Sequence, residues 1–323
     1  MKWLFKHKVV ESNGILISSI IVILMFTIQC SNPKSSEITE TPTRGNIRIV
    51  ADPSFQPIVD AEINTFTTLY KYAHITPNYI PEKDLITAFL NDSVKVVVTA
   101  WQPTNQQIEL LRNTQIIVRT TTIAYDAIAL VLNKENKDSL FTYQNVNDIF
   151  TGKLNDWKQI NPASKLGKIV AVFDNEKSTN IRYFKEEFHL DAQLPSNFYS
   201  LKSNEEVINY VNSTKGALGL VSVNWICDRD STSLSFTHKV KIAAVSHRVL
   251  DPGSYFMPVQ GSIYDKSYPF TRKVNMVSRE TFQGLGSGFI IWVAAEQGQR
   301  IVLKSGLVPA TMPIRLIQIR NNF

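Results

Sequence analysis

Residues 169–188 read IVAVFDNEKSTNIRYFKEEF: a short apolar run, a polar turn with Ser178 and Thr179, then a helical pattern from Ile181 onward. A strand that runs into a Ser/Thr-rich helix start can hold an anion. The free N–H groups of the first helical turn and the helix dipole both favour negative charge. Ser178, Thr179 and Asn180 add polar side chains at that point, and Arg182 adds a cation in the first turn. Ser54 precedes a second helical pattern; it serves either as a cap alone or as a cap that also faces a ligand. Signals for catalysis are missing: there is no Gly-x-Ser-x-Gly elbow and no Walker-type lysine loop. The GLGSG run at 284–288 lacks a following Lys and reads as a loop into the last helix. The five histidines show no metal-ligand spacing, so neither a metal nor a cofactor is expected.

These residues need elements to position them. Strand-like runs occur at 46–52, 95–100, 127–133, 169–173, 217–223, 239–245 and 270–278. Helical patterns lie between them, at 55–70, 105–112, 204–212 and 288–305. KVVVTA at 95–100 is apolar enough to be buried on both faces. Alternation of strands and helices predicts an α/β fold with mostly parallel sheets. A chain that begins one such unit, leaves for a second and returns builds two lobes with a cleft between them. Trp101 and Trp157 read as packing residues, and Asp126 as a structural hydrogen-bonding group near the cleft.

The N-terminus carries Lys2, Lys6 and Lys8 before an apolar run at 15–28, too short for a comfortable membrane span. It stops at Cys30, where a polar stretch without period begins. Residues 1–29 therefore read as a signal peptide and 30–45 as a flexible tether. A cysteine in this place is similar to a lipoprotein lipobox, although Gln29 stands where a small residue is usual; the other reading is an uncleaved anchor. Both put the domain outside the cytoplasmic membrane. The net charge of +6 falls to +4 when Lys2, Lys6, Lys8 and Glu11 are removed, which gives no reason to expect nucleic acid. With Cys30 lipidated, only Cys227 remains as a thiol and no intrachain disulfide is possible.

Several blocks resemble the periplasmic phosphate-binding proteins of ABC transporters: IAYDAIALVLNKEN, DIFTGKLNDW, the strand–Ser/Thr–helix unit with YF after it, GALGLVSV, YPFTRKVNMV and GFIIWVAAEQGQRIVLKSGLVP. They come in the family's order and span 46–309. The resemblance implies a two-lobed type 2 solute-binding fold, each lobe a mostly parallel sheet flanked by helices, joined by two crossing segments. It implies a first lobe of 46–122 plus 267–323 and a second of 123–266. It further implies a lipid-anchored (palmitate-bearing) monomer outside the cytoplasm that captures phosphate, or a related oxyanion, for ABC permease subunits.

The implied ligand contacts are Ser54 and Phe55 in ADPSF, Thr99 in VVVTAWQP, and Ser178, Thr179, Asn180 and Arg182. The chain departs from the family pattern at all three loops: in the first, only Ser54 matches a Gly-Ser/Thr-rich stretch. No Asp follows the second strand, where the family accepts the proton of phosphate. Phe173 or Asp174 stands where the family has an Arg fork for bidentate anion contacts. Arg182, Lys177, Arg272 or Arg119 could supply the missing cation, Arg182 first among them because it lies on the anion-binding helix. The alternative expectation is a surface lipoprotein of the same fold with a different ligand, acting as a sensor or interaction module.

Overall fold

The computed structural model describes residues 40–191, 193–228, 235–249 and 253–313. The expected signal peptide, Cys30 and the expected tether as far as residue 39 lie outside the described residues. Residues 40–44, read as the end of the tether, are docked instead. Thr41 and Arg44 exchange backbone hydrogen bonds, and Leu285 N–H donates to Glu40 Oε1 at 3.2 Å.

In the first lobe, strand β1 (Gly45–Ala51) lies parallel to β2 (Ala73–Tyr79) and β3 (Val96–Thr99). Successive side chains of a strand point to opposite faces, and β3 divides accordingly: Val96 and Val98 enter one core, Val97 the other. The first core holds Phe55, Ile58, Phe66 and Phe289; the second holds Leu85, Phe89 and Trp101. Both faces of KVVVTA are thus buried, as its composition predicts. Helix α1 (Gln56–Leu69) covers one face with Ile58, Val59, Ile63 and Phe66, and α2 (Glu82–Leu90) covers the other with Leu85 and Phe89. Helix α3 (Asn105–Asn113) starts at a Thr104–Gln107 capping box.

Strand β4 (Arg119–Leu132) carries the chain into the second lobe. It begins well before the apolar run at 127–133, because polar Thr120, Thr121 and Thr122 hide its first half. The second lobe continues through α4 (Tyr143–Phe150), β5 (Val170–Phe173), α5 (Thr179–Glu187), β6 (Phe198–Ser200), α6 (Asn204–Ser213), β7 (Ala217–Ser222) and α7 (Val223–Ile226). Its core packs Trp157, Phe173, Phe184 and Phe270 around β4 and β7. Trp157 is a packing residue, as expected: it is fully buried, and its Nε1 donates to Gly216 O at 3.0 Å. The strand expected at 239–245 is split into Lys241–Ile242, which pairs with β4, and Ala244–Ser246, which pairs with Leu140–Phe141.

After α8 (Gln260–Tyr264), strand β8 (Thr271–Ser278) returns to the first lobe antiparallel to β4. Hydrogen bonding runs without a break through both lobes in the order β2-β1-β3-β8-β4-β7-β5-β6. The outer strands pair in parallel, and the two crossing strands pair antiparallel with their neighbours. The β4–β8 register shifts by one residue between Val274 and Asn275, a bulge at Ile123. The helix expected at 288–305 is two helices, α9 (Leu285–Ala294) and α10 (Glu296–Lys304), broken at Ala295 by an extended backbone with ψ 172°. GLGSG is not a loop: Gly284 caps α9, and the residues after it form the first turn.

Candidate functional site: a buried polar cluster between the lobes

At the end of β1 the chain makes a 3-10 turn over Pro53–Phe55. Asp52, not Ser54, caps it. The Asp52 Oδ1 accepts from Ser54 N–H at 2.8 Å, and the Asp52 carbonyl accepts from Phe55 N–H at 2.9 Å. Facing this turn, β5 ends at Phe173 and a turn over Asp174–Lys177 brings Ser178 to the N-cap position of α5. The Ser178 hydroxyl makes no capping hydrogen bond. Across the cleft, Thr179 N–H donates to Asp52 Oδ2 at 3.4 Å.

Ser54, Ser178, Thr179, Asn180, Asn204 and Asn224 are all buried, each with a side-chain oxygen that has no hydrogen-bonding partner among the described residues. Buried polar atoms are nearly always paired, and each orphan costs about 1–3 kcal/mol. A concentration of them between two lobes marks a place built for something else to complete. The amides of these asparagines are fixed by donation. Asn180 and Asn204 donate to the two oxygens of Asp174 at 3.3 and 3.4 Å, and Asn224 donates to Ser54 O at 2.8 Å.

Arg272, on β8, supplies the positive charge. It is buried, and its Nε donates to Asp126 Oδ2 at 2.9 Å. Nη2 lies 2.8 Å from the same oxygen but badly angled, and Nη1 has no partner among the described residues. The guanidinium carbon sits 4.9 Å over the Phe55 ring, so Phe55 is a platform that holds the fork in place. Asp126 is also the acceptor of Ser222 Oγ at 2.8 Å, the structural role read from its sequence context.

Of the residues expected at the site, Ser54, Phe55, Ser178, Thr179 and Asn180 converge here. Thr99 and Arg182 stand at its edge and are engaged. The Thr99 hydroxyl donates to Glu82 Oε1 at 2.6 Å and accepts from Trp101 N–H at 3.0 Å. Arg182 binds Glu82 through Nε and Nη2, and Glu186 through Nη1 at 2.7 Å. Lys177 pairs with Asp84 at 3.0 Å, and Arg119 donates to Glu280 O at 3.1 Å. Among the four cations considered from sequence, Arg272 is therefore the one with donors to spare inside the cluster.

Asp52, Glu82, Asn204, Asn224 and Ser222 went unnoticed in the sequence. Three of them share a signal of position: Asp52, Ser222 and Asn224 sit at or just past the C-terminal ends of strands, where open α/β sheets place their ligands. Burial drives the Asp52 carboxyl up to about 7, and the charges of Asp174 and Glu82 push the same way. Burial likewise raises Asp174, against the opposing pull of the Asn180 amide and the Arg272 charge. For Glu82, burial works against its charge but the hydrogen bonds and charge of Arg182 outweigh it, so its pKa is lowered.

A chain of this architecture is similar to known proteins along most of its length. It is 21% identical over 302 residues to a phosphate-binding protein of Borreliella burgdorferi, covering 89% of this chain and 98% of the relative. Among solved structures it is similar to a putative phosphate ABC transporter substrate-binding protein of Clostridium perfringens. That match has a TM-score of 0.69 and 22% identity, over 82% of this chain and all of the other. An ABC-type phosphate transport receptor of Vibrio cholerae matches with a TM-score of 0.62 and 18% identity, over 83% of this chain and all of the other. The family described as the PBP superfamily domain matches residues 36–297. With its two α/β lobes on one continuous sheet and its polar cluster between them, the chain belongs to the PBP superfamily domain family.

Proposed function

We propose that this protein is an extracytoplasmic solute-binding protein that captures phosphate, or a related oxyanion, between its lobes and delivers it to an ABC-type permease. The observation that carries this reading is the cluster of orphaned polar groups at the N-terminus of α5, with the Arg272 fork beside it. Backbone N–H groups, hydroxyls and a guanidinium are the donors a small tetrahedral oxyanion needs. The relatives named for phosphate binding point to the same ligand. Closure of the lobes, 46–122 with 267–323 against 123–266, buries the anion by binding it more tightly in the closed form. In this reading Ser54, Ser178, Thr179 and Asn180 touch the ligand, Phe55 supports Arg272, and Thr99 and Arg182 act on the closure. Cys30 carries a lipid that holds the monomeric domain at the membrane.

A second reading has one specific observation behind it: Asp52, Asp174 and Glu82 bring three carboxyl groups to the site, and Phe173 or Asp174 stands where the resemblance implies an Arg. A site so altered suits a module that senses another ligand. Isothermal titration of the full-length protein with phosphate and then sulfate separates the two. Saturable heat with phosphate supports anion capture. A folded protein that gives no heat with any oxyanion overturns it in favour of the second reading.

A further inference from the structure

The cluster holds more carboxyl groups than an anion site tolerates in charged form. Two of the acids near it are matched. Glu82, on α2, is held by Arg182 and Thr99, and Asp126, on β4, is held by Arg272 Nε and Ser222. Asp52 and Asp174 have no cation of their own among the described residues: Asp52 rests on two backbone N–H groups, Asp174 on the amides of Asn180 and Asn204. The Asp52 carboxyl also stands at the Thr179 N–H, the first amide of α5 and the donor an anion would use. An oxyanion brought to that amide meets a carboxylate already there. Like charges buried side by side cannot both stay ionised without heavy cost, so one of them must take a proton.

Building on the anion-capture reading above, we propose that binding at this site is proton-linked. Asp52, which shares the buried cluster with Asp174, takes up a proton as the anion enters, and its neutral carboxyl turns from a rival at the Thr179 amide into a hydrogen-bond donor to the anion. The proton comes from solvent or from the dihydrogen form of phosphate, and no bond other than O–H is made or broken. Burial already holds Asp52 near neutrality, with Asp174 on β5 and Glu82 on α2 raising it further. Arg272 on β8 is the opposing charge facing Asp174, and Arg182 on α5 is committed to Glu82. Phosphate thus becomes a ligand whose capture strengthens as the surroundings acidify.

The test is the dissociation constant for inorganic phosphate of the full-length protein and of Asp52→Asn, each from about pH 5.5 to about 8.5. Phosphate's own titration affects both proteins alike, so the ratio of their constants isolates Asp52. Expected is a wild-type affinity that falls relative to the variant by about ten-fold per pH unit above neutrality. Calorimetry in buffers of different ionisation heat should show proton uptake by the wild type that is reduced in the variant. Asp174→Asn, measured the same way, answers the question if Asp52→Asn does not fold. Phosphate binding with a constant ratio and unchanged proton uptake overturns this inference and leaves anion capture standing. Folded wild type and variants that bind no phosphate at any pH overturn both.

Discussion

Arg182, in the first turn of α5, reaches across the cleft to Glu82 at the start of α2, with Nη2 3.3 Å from Oε1 and Nε on Oε2. Thr99 Oγ1 and Trp101 N–H extend the same line of hydrogen bonds into the first lobe. The two lobes are thus joined by side chains at the site's edge as well as by the crossing strands. Glu82 is almost wholly buried while a third of the Arg182 side chain is exposed, so Arg182 contributes chiefly by making a buried carboxylate tolerable.

Removing that cation should be costly. Arg182→Ala leaves Glu82 buried and charged, a loss of about 3–5 kcal/mol for a fully buried pair and roughly half of that here, where solvent reaches the Arg. Adding Glu82→Gln to Arg182→Ala should recover much of the loss, because no charge is then stranded. Urea unfolding of the two singles and the double checks this, and small-angle scattering should show Arg182→Ala more open than the wild type. The Glu82 pKa is depressed, so the stability it brings is present above about pH 4.5 and is lost as pH falls through its folded value.

Glu62 of α1 offers the opposite case. It is buried against Ile58, Val98, Met276 and Phe289, and neither carboxyl oxygen has a partner among the described residues. Burial pushes its pKa from 4.5 to about 9. A raised acid favours the fold below its unfolded value and penalises it progressively as pH climbs towards the folded value. Glu62→Met should therefore stabilise the protein by about 3 kcal/mol at pH 7, the gain shrinking towards zero near about pH 4.5. Denaturation midpoints across that range decide it; a gain independent of pH would contradict the assignment.

Arg272→Lys keeps the charge but loses the fork that rests on Phe55 and spans Asp126 and the cluster. Phosphate affinity should drop by roughly 10- to 100-fold, the worth of one hydrogen bond to a charged group. The thermal midpoint without phosphate should change far less. Titration calorimetry alongside thermal unfolding separates the two effects.

Gly288, in the first turn of α9, lies under the backbone of Pro42. A Cβ there would stand 2.0 Å from the Pro42 carbonyl oxygen. Gly288→Ala should destabilise by about 1–3 kcal/mol through this overlap, or lift residues 40–44 off the domain. Limited proteolysis would register the second outcome as faster cleavage before Gly45.

The sheet strands with strong apolar runs and the helices with clear periodicity were legible in the sequence because local pattern and tertiary burial agree there. β4 was half hidden, since its threonines face the crossing rather than the core. The α9–α10 break was hidden because the Trp292–Val293 and Ile301–Val302 runs keep one apolar face on either side of Ala295. At the site, hydroxyls next to a helix start announced Ser178 and Thr179. Asp52 and Asn224 follow two strand ends and Asn204 opens α6, and the three meet only in the folded chain, so no local spacing could reveal them. Arg182 looked like the anion's cation because it is near in sequence; the fold gives it to Glu82 and brings Arg272 in from β8.

The bulge in the β4–β8 ribbon sets how the lobes can turn. A pair of hydrogen-bonded strands resists sliding along its length and yields by torsion, most readily where its ladder is interrupted. At Ile123 the ladder is interrupted, yet the carbonyl there is gripped by Gln299 Nε2 at 3.0 Å and Ala310 N–H at 3.3 Å, both on the first-lobe side. The ribbon is clamped at that point like a torsion bar in a fixed mount. Val308 and Pro309 extend that hold by pairing with Tyr125 and Ala124, so twist falls on the residues that follow, where Asp126 lies opposite Arg272, and a rotation of one lobe on the other would turn the guanidinium that the anion would meet.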